Sequence, residues 1–79
     1  MKQERAKRIM AVLGWGLAET ARQYNRVSGA RYDRHVVNKQ VNGDRGVSDG
    51  LAVFLKLSLR LAHLERRIAR LRALGPASG

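Results

Sequence analysis

Between Asp49 and Leu74 the chain has no proline, and its one glycine there, Gly50, stands at the start. Nothing in that stretch breaks a helix, so about 26 residues can form a single rod about 39 Å long. Apolar residues mark two of its faces. Phe54, Leu57, Leu61, Leu64, Ile68 and Leu71 recur at alternating spacings of three and four, a heptad seam. Leu51, Leu55, Leu59 and Ala62 form a neighbouring stripe over the first half. One short chain cannot cover both faces. The expected solution is that the second stripe and the N-terminal part of the seam close the chain's own core. The remainder, Leu57, Leu61, Leu64, Ile68 and Leu71, then packs on a second copy. A helix folded wholly onto its own domain is the alternative.

Seventy-nine residues imply one domain, 1–79. A chain of this size buries only about 60–65% of the surface its unfolded form exposes, so the core is thin and self-association helps. With no cysteine and two separated histidines, disulfides and cysteine-based zinc sites are excluded and no cofactor is expected. Sixteen Lys and Arg against six Asp and Glu leave a formal net charge of +10, which favours polyanionic partners. MKQERAKRIMAVLGWG has a basic start, but its apolar run is short and broken by Gly14 and Gly16, so it reads neither as a leader nor as a span. The sequence reads as cytoplasmic, with no membrane partner.

Ahead of the long rod, three shorter helices are expected. Residues 2–13 carry Ala6, Ile9, Met10, Val12 and Leu13 on one side, ending at Gly14 with Trp15 plugging the corner. Leu17–Tyr24 follows, with Leu17, Ala18, Ala21 and Tyr24 inward and Glu19 in the first turn. NRVSGA, residues 25–30, reads as a reversal. The third helix is expected to start between residues 29 and 32, with Ser28 as one possible cap, and to reach about Asn42, where Gly43 supplies a left-handed stop. GDRGVSDG is a polar connection, and Ser48 caps the last helix. Gly75-Pro76 ends that helix and ASG is a frayed tail.

The order LGWG, LAETARQYN, VVNKQVNGDRGVSDGLAVFLKL resembles the lambda-repressor/Cro-like helix-turn-helix family over residues 9–57. Ala21 takes the place of the small alanine in the first helix of the motif and Val37 the apolar position mid recognition helix. Gly43 takes that of the glycine that follows, and Val47–Leu55 resembles the next core helix. The chain departs from the pattern in its longer NRVSGARYDR connection and in Leu17, where many members carry a polar residue that touches phosphate. The seam exceeds the family's minimal domain and resembles an added dimerisation element. The resemblance implies an all-α fold: a four-helix helix-turn-helix domain whose extended C-terminal helix forms a homodimer interface. It also points to small phage or mobile-element regulators, including anti-CRISPR-associated autorepressors.

On that reading the third helix enters the major groove, where Arg forks onto guanine and Asn pairs with adenine. With Val37 and Val41 inward, Arg31, Arg34, His35 and Asn38 lie outward as candidate base readers. Arg34 and His35 have a phosphate contact as their rival role, and Asn38 has backbone capping. Arg22, Arg26, Lys39 and Arg45 are candidate phosphate contacts, which position a protein without specifying sequence. Tyr24 is expected in the core, Tyr32 is open between packing and phosphate, and Gln40 faces DNA only if the helix is rolled. Double-stranded DNA and a second copy of the chain are the expected partners, with no small-molecule effector. An enzyme is not expected: no acidic pair sits at helix spacing, no nucleophile has a base beside it, and no phosphate loop follows a strand. The alternative is a basic helical interaction module, or a phage-encoded inhibitor, that seizes a host protein through the leucine seam.

Overall fold

The computed structural model describes residues 1–74, which are helical apart from Met1, Lys2 and three connections: α1 (Gln3–Leu13), α2 (Leu17–Ser28), α3 (Arg34–Asn42) and α4 (Asp49–Leu74). The expected glycine-proline stop and tail, 75–79, lie outside the described residues. The fold is all-α. No helix is long and apolar enough to cross a membrane among the described residues.

The core is small. Leu51, Leu55, Val37, Val41 and Thr20 are its largest fully buried side chains, joined by Ala6, Ile9, Met10 and Ala21. α1 packs on α3 and α4, and α2 packs on α3. Ala21 is buried at 3% exposure, and its small side chain permits the close approach of a neighbouring helix. An aromatic chain ties the pieces together: Trp15 stacks on Phe54 at 5.7 Å between ring centres, Phe54 meets Tyr24 at 5.5 Å, and Tyr24 meets Tyr32 at 4.8 Å. Trp15 is thus the corner plug expected of it. Gly14 ends α1 with φ 75°, and the Trp15 N–H reaches back to the Met10 carbonyl at 2.8 Å.

Several expectations are corrected. α2 does not stop at Tyr24 but runs one turn further to Ser28, where Gly29 with φ 74° caps it. Ser28 therefore closes α2 instead of opening α3; its hydroxyl donates to the Tyr24 carbonyl. On α2 the inward residues are Leu17, Thr20, Ala21 and Tyr24, and Ala18 is exposed. Thr20 can occupy that inward place because its hydroxyl donates to the Gly16 carbonyl at 2.8 Å, so no polar atom is orphaned. α3 starts at Arg34, later than expected, because the Asp33 carboxylate accepts the Val36 N–H at 3.0 Å and serves as the N-cap. Gly43 is extended (φ −97°), not left-handed. Its glycine is required for a different reason: a Cβ there would sit 2.6 Å from the Lys39 carbonyl oxygen.

α4 has the expected bounds, and Ser48 accepts the Leu51 N–H at 3.3 Å as its cap. Its first half closes the core through Leu51, Ala52 and Leu55, with Phe54 and Leu59 partly covered. Beyond Ala62 every residue of α4 is exposed, so the helix leaves the domain. The molecule measures 54 × 24 × 19 Å with a radius of gyration of 15.2 Å, against about 12 Å for a compact domain of this length.

Candidate nucleic-acid interface

α3 is nine residues long and two-faced. Val37 and Val41 are fully buried, and Gln40 is buried at 6% exposure. Gln40 is a polar core residue that is satisfied: its side-chain oxygen accepts the Ser48 N–H at 2.9 Å. It faces the α3–α4 connection, which fixes the roll of the helix and turns Arg34, His35, Asn38 and Lys39 outward, all exposed. Arg34, His35 and Asn38 line one hollow together with Leu17 from the start of α2. The Asn38 side-chain oxygen accepts from Asn42 at 2.8 Å, so Asn38 bonds a side chain rather than capping backbone. One oxygen lone pair and its NH₂ group remain to meet a partner.

Arg31 does not join them. It lies in the connection between α2 and α3, exposed and ahead of the Asp33 cap, so it is not on the outer face of the helix. It would share that face only if α3 began between residues 29 and 32, ahead of the Asp33 cap.

The connection itself is pinned. The Tyr32 N–H donates to the Asn25 side-chain oxygen at 2.8 Å, and the Asn25 amide donates back to the Tyr32 carbonyl at 2.8 Å. Tyr32 packs on Tyr24, and hydrogen bonding from Ser48, then Gln40 and Tyr24, holds its phenol below the usual range against the opposing effect of burial. Packing is thus its role in this structure. At the other end of α3, the Gln3 side chain donates to the Gln40 carbonyl at 2.9 Å and also to the Gly43 carbonyl, which satisfies the last turn from α1. Gln3, Asn25 and Asp33 were not singled out in the sequence. Only Asp33 left a local signal, an N-cap residue type three positions ahead of an apolar run; the other two act across gaps of 7 to 40 residues.

The candidate phosphate contacts are dispersed. Arg22 and Arg26 are exposed on α2, Lys39 on α3, and Arg45 in the α3–α4 connection. Arg22 is partly engaged already, its guanidinium 2.9 Å from Glu19, whose other oxygen accepts from Gln23. The Asp33 carboxyl lies below the ordinary carboxylate range, chiefly because it accepts the Val36 N–H, with His35 contributing. Along α4, Leu57 (59% exposed), Leu61 (57%), Leu64 (47%), Ile68 (49%) and Leu71 (66%) form an open apolar row. Among the described residues no group of three or more His, Cys, Asp or Glu side chains comes together as a metal site. Comparison with protein-family models, curated proteins and solved structures yields no match.

Proposed function

We propose that the protein is a dimeric helix-turn-helix regulator that binds double-stranded DNA by sequence, with α2 and α3 as the motif and α3 as the reading helix. The observation that carries this reading is the two-sidedness of α3. Val37, Gln40 and Val41 anchor it, while Arg34, His35 and Asn38 project together from its opposite side. Arg and Asn on one outward helical face match the donor and acceptor pattern of guanine and adenine edges in the major groove. Lys39, Arg26 and Arg45 hold backbone phosphates, and Arg22 does so once released from Glu19. Arg31, outside the helix, contacts backbone rather than bases.

The open row on α4 supplies the second half. Leu57, Leu61, Leu64, Ile68 and Leu71 pair with the same row of another chain, and two copies of α3 then read an inverted repeat with half-sites about 34 Å, or a multiple, apart. The activity is non-catalytic, needs no cofactor or small-molecule effector, and answers to the protein's own concentration, most simply as repression of the operon that encodes it.

Selection of bound fragments from a genomic library, followed by salt titration of the selected duplex, tests the reading. Enrichment of one inverted repeat is expected, and with about six phosphate contacts affinity falls roughly a thousandfold between 50 and 200 mM salt. Arg34→Ala is expected to relax base preference at one position by about 1–3 kcal/mol. If no sequence is enriched, or if Arg34→Ala weakens every duplex equally, base reading by α3 is wrong. The same open row favours a second reading, an interaction module that captures another protein. A chain that sediments as a monomer at all concentrations and binds DNA without preference would select it.

A further inference from the structure

One regular feature lies outside α3. Lys56, Arg60, His63, Arg67 and Arg70 recur at spacings of four, three, four and three, the rhythm of the leucine row displaced by one residue. One residue is 100° around a helix. The four cations and His63 therefore form a straight stripe beside the apolar row, and all five are exposed. Next to the stripe, Lys2, Arg5 and Arg8 from the start of α1 share a hollow with His63, walled by Ile9 and Leu59, with Glu4 its one acid. Charge is concentrated here: seven of the sixteen Lys and Arg lie on the stripe or line the hollow, against one acid, Glu4. The one ion pair among the described residues, Arg22 with Glu19, is elsewhere. None of these cations is neutralised by a side-chain carboxylate.

We propose that this stripe, extended by the N-terminal half of α1, is a second and sequence-blind site for the phosphate backbone of duplex DNA. It shares no residue with α3. From Lys56 to Arg70 it spans about 21 Å with a polar side chain every 4.5–6 Å or so, four of the five being Lys or Arg, a line of charge suited to a linear polyanion. Three of its members are arginines, whose planar forks bind phosphate oxygens in pairs. The stripe lies on one flank of the apolar row, while the other flank carries Ser58, Ala62, Glu65 and Ala69, with a single cation, Arg72, at its end. A helix lying on an anionic membrane would place cations on both flanks. Pairing of two chains through that row places Arg60 and Arg67 along its edge and leaves Lys56, His63 and Arg70 on the outer side.

The test is fluorescence anisotropy of the full chain with a random-sequence duplex, titrated with salt. Each phosphate neutralised contributes about 0.9 to the slope of log affinity against log salt, so R60Q/R67Q/R70Q should lower that slope by about 2.7. R60K/R67K/R70K should keep the slope, and R34A/H35A/N38A should change it by less than about 1 on random sequence. If the glutamine triple does not fold, Arg67→Gln alone should lower it by about 0.9. An unchanged slope in the glutamine variants overturns the proposal. So does displacement of the duplex by poly-glutamate at equal charge, which would assign the stripe to an acidic protein, or loss of binding confined to phosphatidylserine vesicles. Failure of base reading by α3 is seen separately, as unaltered sequence preference in R34A/H35A/N38A.

Discussion

Asn25→Ala should loosen α3 without touching it. The Asn25 side chain holds the backbone of Tyr32 by two hydrogen bonds of 2.8 Å, one donated and one accepted, in a half-buried setting. Tyr32 is the residue before the Asp33 cap, so the clamp sets where α3 begins. Each such bond contributes about 0.5–1.5 kcal/mol net. Loss of both, with partial rehydration of the Tyr32 N–H and carbonyl, should cost about 2 kcal/mol. A domain of this size holds about 4–12 kcal/mol in total, and 1 kcal/mol moves its midpoint by about 4–8 °C. The variant should therefore melt about 8–16 °C lower by circular dichroism. Asn25→Asp keeps the acceptor but sets a carboxylate oxygen against the Tyr32 carbonyl, so it should recover less than half of the loss. Arg26→Ala, one residue along and exposed, should stay within about 0.5 kcal/mol of the parent. A loss below about 0.5 kcal/mol for Asn25→Ala would refute the claim that this clamp fixes the connection.

Asp33 has a folded-state pKa below its unfolded value, so its contribution is present above the ordinary carboxylate range near 3.9 and disappears as pH falls through the lower, folded value. Asp33→Asn keeps a capping oxygen without the titration, and its melting temperature should fall less steeply than the parent's below about pH 4; parallel curves would deny Asp33 that role. At Leu64, 47% exposed, about half of a leucine's burial remains to be gained in a dimer. Leu64→Ala should cost about 1 kcal/mol per chain and about 2 per pair, a roughly thirtyfold weaker dimer by sedimentation, with an unshifted monomer fold. Glu19→Gln releases Arg22 from its carboxylate neighbour. An exposed pair of this kind is worth at most about 1 kcal/mol, so duplex affinity should rise by up to about fivefold; unchanged or weaker binding would remove Arg22 as a phosphate contact.

α4 was readable in full because its evidence is local and repeated: no breaker after Gly50, a serine cap, and apolar residues in two helical registers. Val37 and Val41 were readable for the same reason, since their four-residue spacing leaves only one face of a helix to bury. The stretch between α2 and α3 was misread because its residue types are those of turns. NRVS continues α2 for another turn, with Tyr24 packed between Phe54 and Tyr32 and Asn25 bonded to Tyr32 across seven residues. Neither contact has a trace in neighbouring residues. The later start of α3 then removed Arg31 from the helical face while leaving Arg34, His35 and Asn38 on it.

The sequence by itself determined what periodicity and charge can determine: an all-helical chain, a long C-terminal rod, the inward edge of α3 and a large excess of positive charge. Tertiary structure alone decided which polar residues go inside and where α3 begins. Thr20 and Gln40 are buried because Gly16 and Ser48 supply their partners, and α3 is held between Asn25 on one side and Gln3 on the other. The physical reason is that a buried polar group is tolerated only once its partner is in place, and for Gln40, Gln3 and Tyr32 that partner arrives from another element of the fold.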